Sequence, residues 1–298
     1  MPDQDLEASE ESGIEAESLT LEKISYGEQD DQWLQLTLPS RRPIGTTVLL
    51  HGGFWRAAWT AALMESLAED LADRGWNVAN VEFRRMDDTG QGGYPGILED
   101  VSSAIKTLVE RWDEVPRPLV AIGHSAGGQL ALWAATHQSL VAGIAGPRPA
   151  VRLDGVVAQA GVLDLVGAAR ARIGRNAVQL MMGAAPEQEP GRYDRACPTR
   201  LLPLGVAQLL VHGTADEHVP WEMSEHYHRT ASAAGDEVQL ALLDGVGHFE
   251  HLDPHHAAWR AVVEWLKQFS GQWPLADRGE SSTAAARDRC CDERAARS

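Results

Sequence analysis

The chain has 298 residues, of which 44% are hydrophobic and 23% charged, and its formal net charge is −17. This composition is typical of a soluble globular protein, and the acidity argues against binding to the phosphates of nucleic acids. No apolar run approaches the ~20 residues that a membrane span needs, and three cysteines are too few for a disulfide framework, so we expect a cytoplasmic protein that does not bind membranes.

The negative charge is concentrated at the N-terminus, where residues 1–31 contain eleven acidic side chains and one basic side chain. This segment lacks the apolar core of a secretory signal. We expect residues 1–17 to be a disordered acidic tail, residues 18–270 to form the folded domain, and residues 271–298 to be a disordered polar tail. Whether the chain forms a homodimer is left open by the sequence.

Strand and helix patterns alternate between the two tails. LEKISYG and QWLQLTLP predict an initial antiparallel pair of strands, and the apolar run TTVLLHGG predicts a buried strand after it. Further strands are predicted in NVANVEF, PLVAIGHS, LDGVVAQAG, VAQLLVHG and EVQLALLDG. Helical spacing is found in WTAALMESLAEDLADRG, GILEDVSSAIKTLVERW, AGGQLALWAATHQ, WEMSEHYHRTASAAG and HHAAWRAVVEWLKQF.

This alternation predicts an α/β fold with a mostly parallel central sheet, an antiparallel N-terminal strand and helices on both faces. In such sheets, ligands bind at the carboxyl ends of the strands. Residues 161–204 interrupt the alternation and are too long for a simple connection. We interpret them as a short insert over the sheet edge that contributes to a substrate pocket.

The stretch AIGHSAGGQL, residues 121–130, contains Gly-x-Ser-x-Gly with Ser125 at its centre. A predicted strand precedes Ser125 and a predicted helix follows it, which is the context of a nucleophile elbow. Gly123 and Gly127 suit a turn too tight for side chains. The sequence therefore predicts that Ser125 is a nucleophile at a helix N-terminus, where developing negative charge is favoured.

A serine nucleophile needs a base, and the base needs an orienting acid. Asp216 follows one predicted strand in LLVHGTADEHVP, and His248 follows the last predicted strand in LALLDGVGHFEH. Both should therefore lie at the same edge of the sheet as Ser125. We predict that Ser125, Asp216 and His248 form a catalytic triad.

The glycines of LLHGGFW, residues 49–55, predict a loop whose backbone N–H groups can hold a tetrahedral oxyanion. We expect the donors to be Gly53 and Phe54, together with Ala126 from the elbow. His51 is expected to organise this loop. For Trp55, lining of an acyl or aromatic pocket and a plain packing role remain equally open.

In these segments the chain resembles the α/β-hydrolase superfamily over about residues 25–270. HGGFW is similar to the His-Gly-Gly-aromatic-Trp segment of kynurenine formamidases and related small esterases, while GHSAGG, HGTADEHVP and GHFEH resemble the nucleophile, acid and histidine segments. The resemblance implies hydrolysis of carboxylic esters or small amides without a cofactor or a metal. It does not choose between esters and amides.

Other residues offer alternatives. Asp164 is a rival candidate for the triad acid because it follows the strand after the nucleophile. Cys197 is not expected to be a nucleophile because no elbow surrounds it. Glu82, Arg84 and Arg85 are interpreted as internal ion pairs, with carboxylate binding as the alternative. The remaining histidines are interpreted as solvated or capping residues: His124, His212, His218, His226, His228, His251, His255 and His256. His251 and His255 are spaced i, i+4, so metal binding by this pair is the alternative.

We therefore expect a serine hydrolase that cleaves small carboxylic esters. An arylformamidase that hydrolyses an N-formylkynurenine-type amide is the alternative, and a non-catalytic ligand-binding scaffold is the alternative from another class. An insert of about forty residues is too short for the large lid of a lipase, so we expect short acyl groups.

Overall fold

A computed structural model describes residues 19–112, 114–136 and 152–272. The predicted tail 1–17 and residues 273–298 of the other predicted tail lie outside the described residues. Eight strands of the described chain form one sheet. They are β1 (Thr20–Ser25), β2 (Trp33–Leu38), β3 (Thr46–Leu50), β4 (Asn77–Val81), β5 (Leu119–His124), β6 (Gly155–Gln159), β7 (Ala207–Gly213) and β8 (Val238–Leu243).

The sheet has the order β1-β2-β4-β3-β5-β6-β7-β8. β2 pairs antiparallel with both β1 and β4, whereas every other pair is parallel. The prediction of a mostly parallel sheet with an antiparallel N-terminal strand is thus confirmed, and β2 is the strand that runs against the others. Every residue of β3, β4, β5 and β6 is buried, as expected for parallel strands covered on both faces.

Helices connect the strands and cover the sheet. They are α1 (Glu65–Asp73), α2 (Gly96–Glu110), α3 (Ala126–Ala134), α4 (Leu165–Arg170), α5 (Ile173–Met182), α6 (Pro190–Ala196), α7 (Glu222–Ala233) and α8 (Ala257–Gln272). The helix predicted from Trp59 onwards begins with a 3-10 turn at Ala61–Met64, because the Thr60 hydroxyl accepts from the Ala62 amide and starts the turn there.

Two apolar clusters lie on opposite faces of the sheet. Val48 and Leu50 of β3 belong to one cluster, which also contains the apolar faces of α2 and α3, while Leu49 belongs to the other, with α1 and α8. This alternation follows from the two-residue period of a strand. The site residues are therefore carried by a sheet that is anchored from both sides.

The predicted insert at residues 161–204 contains α4, α5 and α6. Three consecutive residues of α5, at positions 174–176, have left-handed backbone angles that interrupt the helix. A Cβ atom at Gly174 would lie 2.5 Å from Cδ1 of Phe54. The insert therefore packs directly against the loop that follows β3.

Candidate active site

Ser125 lies on a strained turn between β5 and α3. Its φ of 55° and ψ of −116° are unfavourable for a residue with a side chain. A Cβ atom at Gly123 would overlap the backbone of Gly127, and a Cβ atom at Gly127 would overlap the carbonyl oxygen of Leu50. The Gly-x-Ser-x-Gly pattern is therefore a steric requirement of this turn, which lifts Ser125 above the carboxyl end of β5.

The backbone of Ser125 is fixed by hydrogen bonds, whereas its hydroxyl has no partner among the described residues. The Ser125 amide donates to the carbonyl of Gln159 at 2.8 Å, and its own carbonyl accepts from Gly128 at 3.0 Å. The Ser125 Oγ atom is buried and makes no hydrogen bond within the described residues, so a bond to His248 is not formed here. Such bonds are often long in the resting enzyme and tighten only in the Michaelis complex.

Asp216 and His248 form a close buried pair. His248 Nδ1 donates to Asp216 Oδ2 at 2.6 Å, and the two side chains are 4% and 0% exposed. Asp216 Oδ1 accepts from the amides of His218 and Val219 at 2.8 and 2.9 Å. Burial alone would raise the pKa of Asp216, but the hydrogen bonds from histidine side chains and from Val219 hold that pKa well below its usual range.

A second histidine, which the sequence interpretation missed, also holds Asp216. His212 Nε2 lies 3.1 Å from Asp216 Oδ2 and 3.0 Å from the carbonyl oxygen of Val219. Both partners are acceptors, so Nε2 carries the proton, and Nδ1 accepts from the Ser224 hydroxyl at 2.7 Å. The i, i+4 spacing from His212 to Asp216 was the only available sequence signal.

The interpretation of these histidines as solvated or capping residues is wrong for His124, His212 and His251, which are all buried. His124 Nε2 donates to the carbonyl of His248 at 2.9 Å, and the two rings are 4.8 Å apart. Burial and the neighbouring histidines lower the pKa of His251 to about 3 and that of His124 well below its ordinary value. Both rings are therefore neutral around the loop that carries His248.

The loop after β3 passes directly beside Ser125. A Cβ atom at Gly52 would lie 3.0 Å from Cβ of Ser125. Gly53, Phe54 and Trp55 have φ values of 110°, 52° and 57°, three left-handed residues in succession. Within the described chain, neither the Gly53 nor the Phe54 amide donates to another protein group. Both amides therefore keep an unused hydrogen-bond donor.

Buried polar contacts hold this loop in place. His51 Nε2 lies 3.1 Å from Glu82 Oε1, and the His51 ring stacks on Phe83. Burial would raise the pKa of Glu82, but His51 and the Ala61 amide hold it below its ordinary value. Arg85 Nε lies 3.3 Å from Glu82 Oε1, so the interpretation of Glu82 and Arg85 as an internal ion pair is confirmed.

Several other candidates have structural roles. Trp55 is buried in the core and its Nε1 donates to Gln129, so the structure favours packing over an open pocket wall. Asp164 accepts from two amides at the start of α4 and caps that helix. Arg84 pairs with Asp100 at 2.7 Å. Burial raises the pKa of Cys197 to about 11, which disfavours a thiolate.

Two further properties concern the described ranges only. Their helices do not combine the length and apolar character that crossing a membrane would require. Within the same ranges, no three His, Cys, Asp or Glu side chains are grouped to hold a metal ion.

Comparison with known proteins shows the family of this chain. A family model described as BD-FAE matches residues 34–230. The YfhR protein of Salmonella typhi is 30% identical over 246 residues, which cover 80% of this chain and 75% of that protein. A probable isoprenylcysteine alpha-carbonyl methylesterase of Oryza sativa subsp. japonica is 26% identical over 246 residues, which cover 76% of this chain and 58% of the relative.

Solved structures of esterases share the fold. Esterase B of Lactobacillus rhamnosis superposes with a TM-score of 0.72 at 17% identity, over 85% of each chain. A truncated carbohydrate esterase from gut microbiota superposes with a TM-score of 0.69 at 19% identity, over 86% of this chain and 97% of its own. At these identities the likeness concerns the fold.

Proposed function

Because the chain belongs to the BD-FAE family, with α/β-hydrolases of esterase type as its relatives, we propose that it is a serine hydrolase that cleaves small carboxylic esters. The observation that carries the proposal is the buried 2.6 Å pair of Asp216 and His248 at the same sheet edge as the strained Ser125. A buried acid that fixes one nitrogen of a histidine leaves the other nitrogen free to act as a base.

In the acylation step, Ser125 Oγ attacks the ester carbonyl carbon while His248 Nε2 takes the hydroxyl proton. The carbonyl oxygen becomes an oxyanion, which the amides of Gly53, Phe54 and Ala126 stabilise. Loss of one such donor costs about 3–4 kcal/mol of barrier. When the intermediate collapses, His248 gives its proton to the leaving oxygen, and the alcohol departs from an acyl-enzyme.

In the deacylation step, water attacks the acyl carbon while His248 again takes a proton. The second tetrahedral intermediate collapses to release the carboxylic acid and restores the Ser125 hydroxyl. Asp216 keeps the His248 proton on Nδ1 in both steps and stabilises the imidazolium. The observed direction of the Asp216 hydrogen bonds supports this role, since every group around the carboxylate donates to it.

The acyl group is proposed to be small. The insert packs Gly174 against Phe54 of the loop after β3, and this contact beside the proposed oxyanion donors supports a confined acyl site. An amide substrate such as N-formylkynurenine is the competing possibility. A kcat/KM for N-formylkynurenine more than about a hundredfold above the best p-nitrophenyl ester, a difference of ~2.7 kcal/mol, would assign the chain to amide hydrolysis.

The test uses Ser125→Ala, with Ser66→Ala as the matched control. Ser66 is exposed and its hydroxyl donates to the carbonyl of Leu252. Wild type and Ser66→Ala should hydrolyse p-nitrophenyl acetate and be labelled by a fluorophosphonate probe, whereas Ser125→Ala should do neither. Full turnover by folded Ser125→Ala would refute the assignment. Absence of labelling and turnover in folded wild type would favour a non-catalytic scaffold.

A further inference from the structure

Three rings form an exposed cluster at the mouth of the site, which we call the aromatic patch: Trp59, His218 and Phe249. Trp59 is 40% and Phe249 46% exposed, and their ring centroids are 6.2 Å apart. His218 lies edge-on to Phe249 at 5.2 Å. Clustered exposed aromatic surface commonly marks a binding site.

The patch is held in place by groups that also build the active site. The Trp59 carbonyl accepts from Arg85 Nη1 at 2.9 Å. The Trp59 side chain covers Gly53 so closely that a Cβ atom there would overlap it. The His218 amide donates to the Asp216 carboxylate. Since the backbones of Trp59 and His218 are held, these two residues can contact a ligand with little loss of backbone conformational entropy.

The position of the patch identifies which part of a substrate it meets. The His248 ring contacts Phe249 at 5.2 Å, with the two planes 88° apart, and His218 at 4.9 Å. In the proposed mechanism His248 protonates the leaving oxygen, so the group attached to that oxygen must lie beside the His248 ring. Phe249 and His218 are both exposed beside the His248 ring, so they are placed to contact this group.

We propose that the aromatic patch is a leaving-group subsite that selects esters of arylmethyl or phenolic alcohols. The inference rests on the proposed function and names the alcohol half of its substrate. A planar ring gains offset-stacked or edge-to-face contacts with the patch at centroid distances of about 4.5–7 Å. A saturated ring of the same size has no π-system for these contacts. Hydrolysis consumes the ester and water and releases the aromatic alcohol and the acid.

The test compares benzyl acetate with cyclohexylmethyl acetate. The two leaving groups have similar size and both are primary alkoxides, so their kcat/KM ratio reports recognition of the aromatic ring. We expect a ratio of about five in the wild type, which falls towards one in Phe249→Leu and in Trp59→Leu. Leu242→Ala, which removes another exposed apolar side chain, is the matched control and should keep the wild-type ratio.

The ratio is taken within each variant, so a general loss of activity or of folded protein cancels. Ser125-dependent hydrolysis of both esters with a ratio near one, or a ratio unchanged in both patch variants, would overturn the inference and leave the proposed function intact. Failure of wild type to hydrolyse either acetate or to react with a fluorophosphonate would overturn the proposed function and the inference with it.

Discussion

Replacement of Asp216 by asparagine tests how the acid of the site works. Two donors meet Asp216 Oδ2, from the side chains of His248 and His212, and two meet Oδ1, from the amides of His218 and Val219. Asparagine has the same shape but only one acceptor oxygen. Whichever way its amide turns, the NH₂ group faces two donors.

The structure sets the size of the effect. In either orientation one buried donor loses its acceptor, because His212 Nε2 keeps the Val219 carbonyl and His218 is exposed to water. Asp216→Asn should therefore lower the free energy of unfolding by about 1–3 kcal/mol, out of the ~5–15 kcal/mol that a typical domain has. When the NH₂ group takes the Oδ2 position, His248 also loses the acceptor that keeps its proton on Nδ1, and the same change in a serine protease triad costs about 10⁴-fold in kcat.

Both effects are measured on one preparation. Urea unfolding gives the stability, and p-nitrophenyl acetate turnover, divided by the folded fraction, gives the activity. Asp244→Asn is the control, because Asp244 is exposed and, among the described residues, accepts only from the Thr214 hydroxyl. A kcat per folded molecule within tenfold of wild type would refute the proposed role of Asp216 in orienting His248.

Two other predictions concern stability. Gly127→Ala places a Cβ atom on the carbonyl oxygen of Leu50, so we expect a much lower urea midpoint and loss of turnover; a wild-type midpoint would contradict the steric argument. In the unfolded chain, His251 takes up a proton near pH 6.5. In the folded chain, burial lowers its pKa to about 3 and the ring stays neutral. The free energy of unfolding should therefore decrease as the pH falls below about 6.5. The slope of the urea midpoint against pH between 6.5 and 5 should be shallower in His251→Asn, and an equal slope would count against this origin.

Features with a local cause were predictable from the sequence. Gly123 is required because a side chain there would clash with the backbone of Gly127 within the same turn, and such clashes restrict sequence strongly. Gly127 is required by the carbonyl oxygen of Leu50 on the neighbouring strand β3. The alternation of apolar strands with amphipathic helices predicted the parallel sheet, because the apolar residues of strands and helices recur with different periods. Since carboxyl ends of parallel strands share an edge, the sequence order of Ser125, Asp216 and His248 was enough to predict that they lie at one edge of the sheet.

Features set by tertiary packing were not predictable. His212 and His124 can be buried because groups elsewhere in the fold hydrogen-bond to them. Ser224 donates to His212, and the carbonyl of His248 accepts from His124. A lone histidine in a sequence does not disclose such partners. Trp55 illustrates the same point, because its indole N–H is satisfied by Gln129, 74 residues away. The aromatic patch joins Trp59 to Phe249 across the fold, from segments with no common pattern.

The neutral histidines around His248 bear on the chemistry of the site. His248 must become a cation in each proposed proton transfer, and a positive charge on His124, whose ring lies 4.8 Å away, would oppose it. Burial and the neighbouring histidines keep the pKa of His124 and His251 low, so these two add no charge. Asp216, kept ionised by its donors, then acts on the His248 cation without opposition from either ring. The same burial that costs the fold stability in acid thus keeps His124 and His251 from adding positive charge beside His248.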